Sequence, residues 1–111
     1  MKSRNSQRLT IVVSLFLEPG REAEFERFES AVTAIMRRYG GELERRIACT
    51  PQGGDNPPHE VHIVTFPDEE SFARYRNDAD FRPMAEPRAR AIRETKVWRG
   101  VELGAVARGA V

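Results

Sequence analysis

The chain has 111 residues, 40% of them apolar and 32% charged, a globular composition that fits one domain, is too short for two, and is neither that of a disordered nor of a membrane-embedded chain. Eighteen basic residues against seventeen acidic ones leave a net charge of +1, without the basic excess of a dedicated nucleic-acid binder. A lone cysteine, Cys49, cannot form an intrachain disulfide and points to a reducing, cytoplasmic setting.

Residues 1–8 are polar and are expected to form a flexible N-terminal segment. Lys2, Arg4 and Arg8 ahead of the apolar run Leu9 to Leu17 have the outline of a signal peptide. Thr10 and Ser14 interrupt that run, however, and Glu18-Pro19-Gly20 follows it in place of a small-residue cleavage site. The run is also far short of the ~20 residues of a transmembrane helix. It reads as a strand, with Leu9, Ile11, Val13, Leu15 and Leu17 on one face and Val12 and Phe16 among the residues of the other.

Arg21 to Tyr39 has the strongest helical pattern. Phe25, Phe28, Val32, Ile35 and Tyr39 recur at spacings of three and four, acidic residues lie near its start, and Arg37 and Arg38 lie near its end. Gly40 and Gly41 stop it. Glu42 to Cys49 reads as a charged edge strand, Thr50 to Pro58 as a loop, and Glu60 to Phe66 as a β-branched strand. Asp68 is the expected N-cap of a second helix anchored by Phe72 and Tyr75. A helical stretch restarts at Asp78, carries Phe81 and Met84, breaks near Pro87 and ends with a last turn or two through Ile92. Lys96 to Leu103 reads as the final strand, and residues 104–111 as a C-terminal tail.

The order β-α-β-β-α-β predicts a ferredoxin-like α+β domain over residues 9–103, an antiparallel sheet with both helices on one face. The first and third strands are apolar on both faces, so a monomer would leave a contiguous apolar patch in water. Pairing of that face with a second copy removes the patch, which predicts a homodimer.

Several segments resemble the dimeric α/β-barrel superfamily: Pro19-Gly20-Arg21-Glu22-Ala23-Glu24-Phe25, Tyr39-Gly40-Gly41, the run from Glu60 to Asp68, Tyr75-Arg76-Asn77-Asp78, and Phe81-Arg82-Pro83. The chain is most similar to a bacterial branch known as a domain of unknown function, related to antibiotic biosynthesis monooxygenases. The resemblance spans about residues 9 to 103, roughly one domain. It implies a ferredoxin-like subunit whose sheets pair into a dimeric α/β barrel. The superfamily includes cofactor-free monooxygenases, haem-degrading enzymes and muconolactone isomerases, and fold does not choose among them. The shared segments are turn and packing residues and carry over no catalytic set.

His62, mid-strand on the face of Val64 and Phe66, reads either as a general acid/base or ligand anchor or as a packed core histidine. Arg99 is a candidate to orient a carbonyl or enolate oxygen. Trp98 and Arg99 alternate on the last strand, so one of the two faces the helices. Tyr39, Tyr75 and Trp98 are candidate ligand-binding aromatics, although such amphipathic rings are more often core or dimer-interface residues. No metal site is expected: His59 and His62 lie three apart on a strand and converge only if His59 has left it, and with Cys49 they match no ligand spacing. Cys49 itself reads as a small hydrophobe. The arginines from Arg82 to Arg99 read as a solvated face or as an anion-neutralising stretch. The sequence has no phosphate loop or hydrolase elbow, and the resemblance implies as the expected function cofactor-independent chemistry, monooxygenase or isomerase-like, on a small organic molecule between sheet and helices. The alternative is a non-catalytic ligand-binding or sensing dimer. An RNA-binding sheet is disfavoured, because Glu60 to Phe66 lacks the basic-glycine-aromatic pattern, and neither nucleic acid nor membrane is an expected partner.

Overall fold

The computed structural model describes residues 8–51 and 56–104. Almost all of the expected N-terminal segment and of the tail, and the middle of the loop after Thr50, lie outside them. The elements are β1 (Leu9–Leu17), α1 (Glu22–Arg38), β2 (Glu42–Ala48), β3 (Glu60–Phe66), α2 (Glu69–Arg76), a 3-10 helix (Ala79–Met84), α3 (Ala85–Ala91) and β4 (Ile92–Gly100). The strands form one antiparallel sheet in the order β2-β3-β1-β4, the ferredoxin-like arrangement that the element order predicts.

Two expectations need correction. Pro87 does not break the helical stretch but sits third in α3, where a proline's missing N–H has no intrahelical partner to lose. β4 begins at Ile92 and ends at Gly100, four residues earlier than expected at its start and three at its end. Ile92 is bound into the sheet opposite Leu17, just beyond an irregularity at Phe16, so its apolar side chain serves a strand and not a last helical turn.

Register fixes the two faces. Ile11 pairs with Val64 and Arg99, Val13 with His62 and Val97, and Leu15 with Glu60 and Thr95. These rows face the helices. The rows of Val12, Ile63 and Trp98 face the opposite way. β3 alternates strictly, with Glu60, His62, Val64 and Phe66 buried and the residues between them half-buried.

The helix side holds two apolar clusters. Ile11, Val32, Met36, Val64, Phe66 and Phe72 form one. Leu15, Phe25, Ala91 and Ile92 form the other. Val13 and Phe28 pack against both, and the polar groups described below lie in that row. α2 is capped as expected, the Ser71 N–H donating to Asp68 Oδ1 at 2.8 Å.

The turn after α1 brings Gly41 against the first cluster. Gly41 is buried, and a Cβ there would fall 2.5 Å from Met36 Cγ and 2.5 Å from Phe66 Cε2. Phe66 is fully buried and cannot retreat. Gly41→Ala should therefore lower stability by about 1–3 kcal/mol, read as a shift of the urea midpoint with an unchanged slope.

Candidate functional site

Two features of β3 and one of α1 build the site. Glu60 and His62 are two apart, so they share the helix-facing side of the sheet. Glu29 stands four residues after Phe25 and three before Val32, on the apolar stripe of α1, and is 8% exposed. The helix therefore delivers a carboxyl group into the core opposite the histidine.

β2 adds the cation. Its register slips between Leu43 and Arg45, so Leu43 faces Val64 while Arg46 faces His62. Strict alternation from Leu43 would place Arg45 there. The slip, an extra residue in an edge strand, aims the Arg46 guanidinium at Glu60. Arg46 Nε and Nη2 donate to Glu60 Oε1 and Oε2 at 2.9 and 2.7 Å. Its Nη1 and Nη2 donate to Glu26 of α1 at 3.2 and 2.8 Å. One guanidinium thus ties the edge strand, the central strand and the helix together.

His62 lies between two carboxyl groups. Its Nε2 is 2.7 Å from Glu60 Oε1, and its Nδ1 is 3.6 Å from Glu29 Oε1. Burial opposes ionisation of Glu60, but the hydrogen bonds from Arg46 and His62 outweigh it and hold its pKa below the ordinary value. Glu60 is then an acceptor alone, so Nε2 carries the imidazole proton. Burial lowers the His62 pKa against the opposing pull of Glu60. The ring is neutral at physiological pH, and its Nδ1 lone pair points towards Glu29. Burial raises Glu29 from 4.5 to about 7, against the attraction of Arg46. Among the described residues, His62 is the only basic side chain within ion-pair distance of Glu29. A carboxyl group poised near neutrality thus faces a neutral imidazole nitrogen, two titratable groups with their protons held by opposed environments.

Both groups open into a cavity of about 590 Å³ between sheet and helices, within the ordinary range for small-molecule sites. Its walls are mainly apolar: Ile11 and Val64 from the sheet, Val32 and Met36 from α1, and Phe72 from α2. Tyr75 also lines it, and burial pushes its hydroxyl pKa up to about 12, so the group remains a proton-bearing donor. Among the described residues, no group of three or more His, Cys, Asp and Glu side chains is arranged to hold a metal ion.

The structure brings His62, Arg99 and Tyr75 to this one cavity. Tyr39 and Trp98 are elsewhere. The Tyr39 hydroxyl donates to Asp78 Oδ2 at 2.6 Å, beside Arg38, and fastens the end of α1 to the 3-10 helix. Trp98 is on the opposite sheet face, 52% exposed. His59 precedes β3, and its ring meets the Phe25 ring edge-on at 5.9 Å. Sequence reasoning passed over Glu29, Glu60 and Arg46. The first two had a signal, a carboxylate on an apolar stripe and another on an apolar alternation. Arg46 had none, because its direction depends on the register slip.

The four-stranded antiparallel sheet with helices on one side makes this a ferredoxin-like α+β protein. The chain belongs to the family described as Domain of unknown function (DUF1330), whose model matches residues 12–100. No curated protein matches it in sequence. Among solved structures it is similar to a protein of unknown function from Rhodopseudomonas palustris, at 14% identity over 90% of this chain and 85% of that one, with a TM-score of 0.74. It is similar to SnoaB, a cofactor-independent oxygenase from Streptomyces nogalater, at 20% identity over 92% and 99% of the two chains, TM-score 0.66. A dabb family protein with a ferredoxin-like fold from Mesorhizobium loti matches at 17% identity over 87% and 98%, TM-score 0.63. At these identities the likeness is one of fold, and it agrees with the superfamily that the sequence resembles. Among the described residues, no helix is long and apolar enough to cross a membrane.

Two outcomes follow from the charge geometry. A carboxyl group whose folded pKa is raised binds its proton more tightly when folded, so its contribution is full below the unfolded value and is lost as pH rises through the folded one. For Glu29 that window runs from 4.5 to about 7. Across it the wild type should lose up to about 3 kcal/mol relative to Glu29→Gln, measured by urea unfolding of both proteins at either end of the window. Arg46→Gln strands the buried Glu60 carboxylate and should cost about 2–3 kcal/mol in the same assay, below the value for a wholly buried pair because the arginine is partly exposed. Arg45→Gln, on the outer side of the same strand, should change stability by less than about 0.5 kcal/mol.

Proposed function

We propose that this protein is a cofactor-independent enzyme, monooxygenase or isomerase-like, that moves a proton on a small organic molecule held between the sheet and α1. The observation that carries the reading is the 3.6 Å approach of His62 Nδ1 and Glu29 Oε1 in the wall of a mainly apolar cavity. Glu60 anchors Nε2, so Nδ1 is the free base, oriented as the carboxylate orients the imidazole in hydrolytic triads. A substrate C–H beside a carbonyl, placed at Nδ1, would lose its proton to the ring. Glu29 supplies or receives the second proton, since its pKa lies near the working pH. Tyr75 donates to the developing enolate oxygen, and Arg99 orients the polar end of the substrate. Return of the proton at another carbon is isomerisation, and electron donation from the carbanion to dioxygen starts oxygenation. The fold likeness to SnoaB supports this setting.

A second reading, a ligand-binding or sensing protein without turnover, is favoured by the 3.6 Å separation itself, which is longer than a hydrogen bond. In either reading the protein works as a cytoplasmic homodimer. Support for pairing comes from the uncovered sheet face, where Trp98 is 52% and Ile47 40% exposed beside Val12, Val61 and Ile63. Support for the compartment comes from the lone Cys49.

A panel of ketones and lactones incubated with the protein in deuterated water, followed by proton NMR, tests the first reading. The wild type should exchange the acidic C–H of at least one compound, and His62→Gln and Glu29→Gln should each slow it by roughly 10²–10⁴-fold. Full exchange in His62→Gln would remove the histidine from the mechanism, and binding without exchange in the wild type would favour the second reading. Native mass spectrometry should show a dimer, reduced to monomer by Trp98→Glu; a wild-type monomer would end the pairing proposal.

A further inference from the structure

We infer that the cavity takes an organic anion, with an apolar body between the sheet and α1 and a carboxylate held by Arg76 and Arg99 beside Phe72. The inference rests on the cavity assigned above and names the class of molecule that fills it.

The charge of the lining is lopsided. Arg76, Arg88 and Arg99 line the cavity, and the one acidic lining residue is Glu29, which burial keeps largely protonated below neutrality. A neutral ligand in an apolar pocket gives no reason for three guanidinium groups. Their existing partners are weak. Arg88 Nη2 donates to the neutral Thr95 hydroxyl at 2.8 Å. Arg99 pairs with Glu69 at 3.0 Å, but the two side chains are 50% and 63% exposed, and exposed pairs of this kind contribute ~0–1 kcal/mol. Arg76 forms an ion pair with none of the described carboxylates.

Two of the three are held in place. The guanidinium carbons of Arg76 and Arg99 lie 5.4 and 5.3 Å from the centre of the Phe72 ring. Phe72 belongs to the first apolar cluster and packs against Phe66 at 5.2 Å, so the ring is a fixed platform. Stacked on the ring, the Arg76 guanidinium makes no side-chain hydrogen bond among the described residues and presents the planar fork that a carboxylate accepts bidentately. Arg99 gives Nε and Nη2 to Glu69 at 3.0 and 3.3 Å, an exposed pair that a ligand carboxylate would replace, and its Nη1 is the donor left over. A carboxylate reaching both would meet donors already ordered, with little side-chain entropy left to lose.

The register places this anchor away from the proton-transfer pair. His62 lies opposite Val13, and Arg99 lies opposite Ile11 one row along and two strands across. Strand spacing and rise put the two Cα atoms about 12 Å apart. The side chains converge from those positions, leaving room for one or two rings, or a short alkyl chain, between the carboxylate and the carbon over Nδ1. The anchor also keeps the ligand's permanent charge clear of Glu29.

Calorimetric titration of two acid–amide pairs, 2-naphthoate with 2-naphthamide and decanoate with decanamide, tests this. The probes within a pair differ in charge and hardly in shape. At least one acid should bind the wild type about tenfold or more tighter than its amide. Arg76→Gln and Arg99→Gln should each erode that preference, and the double variant should abolish it, with the amide reporting in each protein that the cavity persists. Equal binding of acid and amide overturns the anion inference and leaves the cavity standing, as does a preference that survives in the double variant. Failure of all four probes to bind the wild type overturns the inference together with the cavity reading.

Discussion

The structure depends on a guanidinium that neutralises a buried carboxylate on the sheet's helix-facing side. Glu60 sits where its neighbours His62, Val64 and Phe66 face the core, and an unpaired charge there would cost several kcal/mol. Arg46 supplies two hydrogen bonds to it and two more to Glu26 of α1. The bridge acts as a strut. It couples the first helix to the edge of the sheet at the point where the two apolar clusters part, and the cavity opens beside it. Filling that space with further methyl groups would raise packing density and remove the place where a small molecule fits.

The strut also decides the chemistry. With Arg46 holding Glu60 ionised, Glu60 accepts from His62 and the ring's proton is committed to Nε2. The other nitrogen is left basic, facing a carboxyl group that has no arginine or lysine within ion-pair distance among the described residues. Glu29 and Glu60 are the same residue type a short distance apart, yet burial without a partner raises the first and paired hydrogen bonds lower the second. Environment, not identity, separates their roles.

Much of the fold was legible because it rests on local periodicity. The double-faced alternation of β1, the stripe of α1 and the Asp68 cap all follow from side chains a few residues apart. Pro87 and Ile92 misled for the same reason: a proline in a first turn and an isoleucine at a strand start look, in a short window, like a break and a helix end. Of the site, His62 was visible as a polar residue on an apolar face. Glu29 and Glu60 meet the same criterion, each a polar residue on an apolar face. Tyr39 and Trp98 lie away from the cavity, since an amphipathic ring satisfies its polar end wherever a partner stands, and for Tyr39 that partner is Asp78, 39 positions along the chain.

The slip in β2 separates that strand into two lengths that answer to different neighbours. Leu43 keeps phase with the core, and Arg46 keeps phase with Glu60, with the odd residue absorbed between them. Chain length in an exposed strand therefore becomes a variable of the site. With Glu44 removed, both ends would remain in step on a regular ladder. With one residue added before Arg45, that arginine would turn inward and Arg46 would face solvent, although every original side chain is still present. Which arginine serves the reactive centre is thus set by an insertion, and left alone by a deletion, at a position that lines no part of the cavity.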